Sequence, residues 1–322
     1  MLPAISLYSY HQLIIICNKC GARPPAIPHI PAKGASINMN NALLTTIRNI
    51  NDSGRVALCG YFLAGYPSPQ AFYACARAAK TIDVFEFGIP AGDPCFDGPV
   101  ISSAHKAVSE QGMDAETALA LIGGLRKLSQ PRFVMTYAQE GRDLDGFLRM
   151  CVENDIQGVF APDIHQHEAM QVAMIARALQ LAYISFIDEH MPQDVVVAKA
   201  EISDVLYVRA SQGHTGHCAA LDAACMEKLA ETIRIVRACK SEIIIAVGIG
   251  IQYPQQIRQL SCLDIEMVIV GTALMEQLGR GEKYLAEYVD ALHLATFRDK
   301  APAHGRRMVR HLSQGQATYR AQ

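Results

Sequence analysis

Residues 84–100 read Val-Phe-Glu-Phe-Gly-Ile-Pro-Ala-Gly-Asp-Pro-Cys-Phe-Asp-Gly-Pro-Val. An apolar, strand-like run from Ile82 to Phe85 ends on a carboxylate, Glu86. Mostly Gly, Pro and other loop formers follow, until Asp97 is set down in an Asp-Gly-Pro turn. Desolvating a carboxylate is costly. Glu86 is therefore either satisfied by a backbone donor or an arginine, or present for chemistry. An acid on a rigid strand and a second on the adjoining loop can divide general acid–base work between them. For Asp97 the alternative is an ordinary turn residue.

Outward from this strand and loop, the chain alternates short β-branched or aromatic runs with amphipathic stretches. Strand character falls on 55–62, 83–87, 132–137, 158–161, 182–187, 204–209, 242–247 and 266–270. Helical patterns follow most of these, at 70–80, 115–128, 144–154, 168–179, 221–239, 255–261 and 273–277. Strands that are apolar nearly throughout and alternate with helices predict a parallel sheet covered on both faces. Eight such repeats in roughly 250 residues predict one closed (β/α)8 TIM barrel rather than an open doubly wound sheet.

Composition agrees with a large buried core. Half of the 322 residues are apolar and 19% are charged. A net charge of −2 gives no electrostatic case for a nucleic acid or an anionic membrane as partner. The ten cysteines are scattered, most in apolar runs, which reads as small core residues in a reducing cytoplasm. Cys17 and Cys20 form a CxxC with no second pair at zinc-ribbon spacing, so no metal is expected. No apolar run approaches the ~18 residues needed to span a bilayer, and residues 13–17 are too short for a signal-peptide core. A soluble, cytoplasmic protein is expected.

The two ends differ from the middle. Residues 1–38 mix Tyr, Pro and Cys without periodicity, and Pro-Pro-Ala-Ile-Pro-His-Ile-Pro at 24–31 suits neither helix nor strand. An irregular extension, or translation starting in fact at Met39, are the expectations there. A barrel domain is expected over 39–297. From Arg298 onward six Lys/Arg stand against one acid, the pattern of a solvated basic tail.

Active sites of such barrels lie at the C-terminal ends of the strands. Glu86, Asp97 and Tyr137 fall there, as do Gly213-His214-Thr215-Gly216 after the sixth strand, Gly248-Ile249-Gly250 after the seventh and Gly271-Thr272 after the eighth. Glycines at the ends of consecutive strands, the second opening a short helix, direct backbone N–H groups toward one point and favour an anion such as phosphate. Neither glycine motif contains a basic side chain, so backbone amides are expected to carry the binding.

The stretch beginning at Glu86 resembles the tryptophan synthase alpha chain family, whose signature has the form E-L-G-x-P-F-S-D-P-x-A-D-G-P. Glu86, Gly88, Pro90, Asp93, Pro94, Asp97, Gly98 and Pro99 stand in register with it. Further matches are Ala64-Gly65-Tyr66-Pro67, Met135-Thr136-Tyr137, Pro162-Asp163, Gly213-x-Thr215-Gly216, Ala246-Val247-Gly248-x-Gly250 and Val270-Gly271. The resemblance implies a lyase of tryptophan biosynthesis that cleaves indole-3-glycerol phosphate to indole and glyceraldehyde 3-phosphate by a retro-aldol reaction. It implies no cofactor in this chain, and a heterotetramer with a beta chain that carries pyridoxal phosphate. Carried over by position, Glu86 is the general acid/base at indole C3 and the glycerol hydroxyl, and Asp97 hydrogen-bonds the indole N–H. Tyr61, Tyr137 and Tyr207 line the site and Thr215 closes over the substrate. Gly216, Gly248, Gly250, Gly271 and Thr272 hold the phosphate, while Asp93 and Asp163 face the beta chain.

The match frays in the loops. Ala91-Gly92 replaces the family's Phe-Ser, Phe96 its Ala, Leu63 its Thr, Ser211 its Arg, Ile164-His165 follows Pro162-Asp163, and Asp188-Glu189 replaces Ala-Pro. Acids kept and communication loops changed leave three alternatives open. They are a stand-alone indole-releasing lyase, another phosphate-binding aldolase or isomerase whose ring pocket Phe96 narrows, and a non-catalytic partner of a beta chain. Both Glu86 and Asp97 being present argues against the last.

Overall fold

In a computed structural model the structure describes residues 41–138, 143–188, 190–210 and 221–298. The expectations for residues 1–38 and for nearly all of the basic tail lie outside these. Eight strands are separated by helices: α1 (Ala42–Asp52), β1 (Ala57–Leu63), α2 (Pro69–Ala78), β2 (Val84–Gly88), α3 (Pro99–Glu110), α4 (Ala115–Gly123), β3 (Arg132–Met135) and α5 (Leu144–Glu153). They continue through β4 (Gly158–Phe160), α6 (Gln166–Ala178), β5 (Ala182–Ile187), α7 (Gln193–Ile202), β6 (Val205–Arg209), α8 (Ala223–Cys239), β7 (Ile244–Gly248), α9 (Pro254–Ser261), β8 (Met267–Val270), α10 (Thr272–Leu278) and α11 (Glu282–Leu294). The strands close in sequence order into a barrel, every neighbour parallel and β8 pairing back onto β1.

Local chemistry sets these boundaries. Asn41, Ser68, Asp114, Asp143 and Asp222 cap helices by accepting the N–H three residues on. Pro69, Pro99 and Pro254 occupy first helical positions, where a missing N–H costs nothing. The strands are buried on both faces, as a sheet lined outside by helices and inside by its own side chains must be.

Alternation along β2 positions the decisive acid. Phe85 and Phe87 point outward, their rings stacked at 5.3 Å, and Phe87 meets Phe72 of α2 at 5.4 Å. Glu86 between them therefore points into the barrel. Its register partners are Tyr61 on β1 and Phe133 on β3.

Most strand ends lie a residue or two from the sequence reading, and two of these shifts bear on the site. Glu86 is central in β2, because Phe87 and Gly88 continue the ladder to Leu63 and Met135. β3 stops at Met135, two residues before Tyr137. Asp-Gly-Pro is also more than a turn: Gly98 caps α3 and Pro99 begins it. Helices α1, α3, α7 and α11 were not expected from the pattern. No described helix is long and apolar enough to cross a membrane.

Candidate active site

A cavity of about 470 Å³ opens at the C-terminal ends of the strands. Glu86 and Asp97 line it together with Tyr61, Tyr207, Phe96 and Gly271, against apolar walls that include Phe160 and Phe186. The Glu86 side chain is 3% exposed, and among the described residues no group donates a hydrogen bond to it. Among the described residues, then, neither a backbone donor nor an arginine satisfies it. Burial first, and the charge of Asp97 second, push its carboxyl from the ordinary 4.5 up to about 8. At neutral pH the site therefore holds a proton on an acid.

Asp97 is anchored differently. A tight turn from Pro94 to Asp97 (2.9 Å) brings it over the cavity. Tyr137 donates its hydroxyl to Asp97 Oδ2 at 2.7 Å and accepts the Phe96 N–H at 3.3 Å. Burial, then the neighbouring Asp97 charge, pushes the phenols of Tyr61 and Tyr137 up, which keeps both protonated. Burial, then Glu86, does the same for Tyr207.

His105 joins this group from α3. Its Nδ1 accepts the Ala91 N–H at 3.0 Å, while Nε2 lies 3.4 Å from the Tyr61 hydroxyl and 3.7 Å from Asp97 Oδ2. An Nδ1 that accepts leaves the ring proton on Nε2, and burial pushes the ring down from 6.5 to about 4. The contact with Asp97 is therefore between a carboxylate and a neutral ring, not an ion pair. Sequence reasoning passed over His105. Reading Gly98-Pro99 as a helix start would have found it, because Ile101, Ala104, His105 and Val108 then form one buried face.

The glycine motifs converge on the same mouth. Gly248 ends β7, where a Cβ would collide with the ring and hydroxyl of Tyr207. Ile249 (φ 69°) and Gly250 (φ 85°) are left-handed in succession. For a β-branched residue that is a strained backbone, found mostly at functional sites. Gln256, also missed from sequence, clamps this turn: its Oε1 accepts Gln252 N–H and Tyr253 N–H, and its Nε2 donates to Gly250 O at 3.0 Å. Gly271 caps α10, and Thr272, its first residue, has a buried Oγ1 with no hydrogen-bond partner among the described residues.

Other expected residues lie farther out or outside the description. Asp93 is exposed on the loop after β2. Asp163 accepts the Ala138 N–H at 2.8 Å, tying the loop after β4 to that after β3. Thr215 and Gly216 lie outside the described residues, as do Ser211, Glu189, His214 and His217. Asp188 accepts the His190 N–H.

A raised acid and an anchored carboxylate share the C-terminal mouth of a closed (β/α)8 barrel, the end at which enzymes of this fold keep their active sites, and such a pair is suited to moving protons. The sequence model of the tryptophan synthase alpha chain family matches residues 47–301. The tryptophan synthase alpha chain of Chloroflexus aggregans is 30% identical over 248 residues, 74% of this chain and 90% of its own length. That of Prochlorococcus marinus is 27% identical over 247 residues, 75% of this chain and 88% of its own. The structure of Mycobacterium tuberculosis tryptophan synthase in space group F222 gives a TM-score of 0.71 at 26% identity, covering 79% of this chain and 97% of that one. The chain belongs to the tryptophan synthase alpha chain family. It is a carbon–carbon lyase, cleaving indole-3-glycerol phosphate to indole and glyceraldehyde 3-phosphate in tryptophan biosynthesis. It carries no cofactor of its own and pairs with a beta chain that holds pyridoxal phosphate.

Proposed function

We propose that Glu86 and Asp97 carry out the cleavage, and the burial of Glu86 in the wall of the cavity it shares with Asp97 is the observation on which this rests, since that burial pushes its carboxyl up to about 8. Glu86 gives its proton to indole C3, which turns the ring into a cation with its charge centred on the ring nitrogen. Asp97 accepts the ring N–H and stabilises that charge, held for the task by the Tyr137 hydroxyl. The Glu86 carboxylate, now in a low-dielectric cavity, takes the proton from the glycerol hydroxyl. The C–C bond breaks, its electron pair returns to the ring, and the carbon that bore the hydroxyl becomes the aldehyde. Indole leaves with the proton on C3, and Glu86 ends as it began. One acid thus serves both steps, each worth on the order of 10²–10⁴ in rate.

Tyr61, Tyr137, Tyr207 and Thr215 are assigned to the substrate, and Gly216, Gly248, Gly250, Gly271 and Thr272 to the phosphate. The unpartnered Thr272 hydroxyl and the left-handed Ile249-Gly250 turn support the anion site. Asp93 and Asp163 are assigned to the beta-chain face, 39–297 to the barrel domain and 298–322 to a tail. The cytoplasm is the assigned compartment, supported by free cysteines throughout the described residues.

Replacing Glu86 by Gln keeps size and burial and removes the titrating proton. Glu86→Gln is expected to abolish indole release from indole-3-glycerol phosphate while the circular dichroism spectrum stays that of wild type. Retained turnover overturns the assignment.

A further inference from the structure

We propose that His105 is a positioning residue for the cleavage, its Nε2–H holding the Asp97 carboxylate and the Tyr61 hydroxyl at the cavity wall. This rests on the role assigned to Asp97. The side chain is fully buried on the face of α3 that packs on β1 and α10, beside Ile101, Ala104 and Val108. An aliphatic residue would fill that place at no cost in polar desolvation, so the imidazole needs a reason. Both its nitrogens are engaged.

Nδ1 takes up the N–H of Ala91 in loop 2, six residues before Asp97. That bond sets the tautomer and points Nε2–H at the gap between Tyr61 (3.4 Å) and Asp97 (3.7 Å). The contact with Tyr61 is a long hydrogen bond, and that with Asp97 is a dipole–charge contact beyond hydrogen-bond distance. Tyr137, whose ring stands edge-on to the imidazole at 6.4 Å, holds the same Asp97 oxygen from the other side. Asp97 is thus bonded by a loop-side phenol and faced by the dipole of a helix-side imidazole. The imidazole in turn ties β1, loop 2 and α3 into one unit.

The two nitrogens can be separated by substitution. Gln places an amide N–H near the reach of Nε2, whereas Asn places an amide oxygen near that of Nδ1. If orientation of Asp97 is the role, His105→Gln keeps kcat close to wild type and His105→Asn lowers it by about tenfold to a hundredfold, the scale of a misplaced reacting group. KM changes little, because the charge Asp97 meets develops only in the transition state. Equal kcat in the two variants, or a loss confined to KM or to melting temperature, overturns the inference. A second measurement needs no variant: nitrogen-15 spectra of the wild-type protein are expected to show the Nε2–H tautomer, and an Nδ1–H tautomer overturns it. Turnover by Glu86→Gln would instead overturn the underlying mechanism, so the two failures are distinct.

Discussion

At the residue scale, the proposed chemistry rests on one buried acid with no hydrogen-bond donor among the described residues. The Glu86 carboxyl holds its proton to about pH 8 in the folded protein, against an ordinary 4.5 once unfolded. Between these values the unfolded chain has released a proton that the native state still binds, so native stability falls as pH rises. The slope is on the order of 1.4 kcal/mol per pH unit. Glutamine at this position cannot ionise. Glu86→Gln is therefore expected to melt at a higher temperature than wild type, with a gap wider at pH 9 than at pH 5. A gap that does not change with pH would mean Glu86 is not buried as a neutral acid. The candidate acids themselves were legible in sequence, because a carboxylate inside an apolar run is conspicuous. His105 and Gln256 were not, since each works through a fold that brings residues on separate elements together.

At the element scale, each strand has one end for function and one for stability. Below the barrel, Glu266 precedes β8 and is 2% exposed. Its carboxylate accepts the Arg237 guanidinium from α8 at 2.7 Å and the Ile245 N–H of β7 at 2.8 Å, while Arg237 also reaches Asp264 at 2.8 Å. Removing one partner of a buried pair strands the other charge, at a cost of about 3–5 kcal/mol. Arg237→Ala is expected to lower the midpoint of urea unfolding accordingly. Its kcat should equal that of wild type, because the site is at the opposite end of the strands. Adding Glu266→Gln should recover part of the loss, and a double variant no better than the single one would sink this account. Strand positions were readable from apolar runs bounded by breakers, and their ends moved by a residue or two. Helix α3 was missed because Asp-Gly-Pro reads equally as a turn and as a cap followed by proline at the first helical position.

At the scale of the whole molecule, the barrel closes from local pairings alone, every strand lying beside its neighbour in sequence. That order made the architecture legible from alternation. The loops above it are harder to read, because their conformations depend on what they meet. Loop 2 shows how a partner would act on the chemistry. Asp93, exposed and assigned to the beta-chain face, is four residues from Asp97 and immediately precedes the turn in which the Asp97 N–H bonds to Pro94 O. A beta chain pressing on Asp93 would bias the same turn that aims Asp97 at the substrate. Asp163 offers a second path, holding the loop after β3 through Ala138, next to Tyr137 and its bond to Asp97. On the proposed roles of these residues, contacts at the rim and the orientation of Asp97 are linked through these hydrogen bonds. The purified chain is expected to release indole slowly alone and faster by fivefold or more with a tryptophan synthase beta chain, on the order of coupling energies between linked sites. The gain should appear in kcat rather than KM, since Asp97 acts on the transition state. Fast release by the chain alone, unchanged by the partner, would mean that the loop after β2 is already set without contacts at Asp93 and Asp163, and would overturn this coupling.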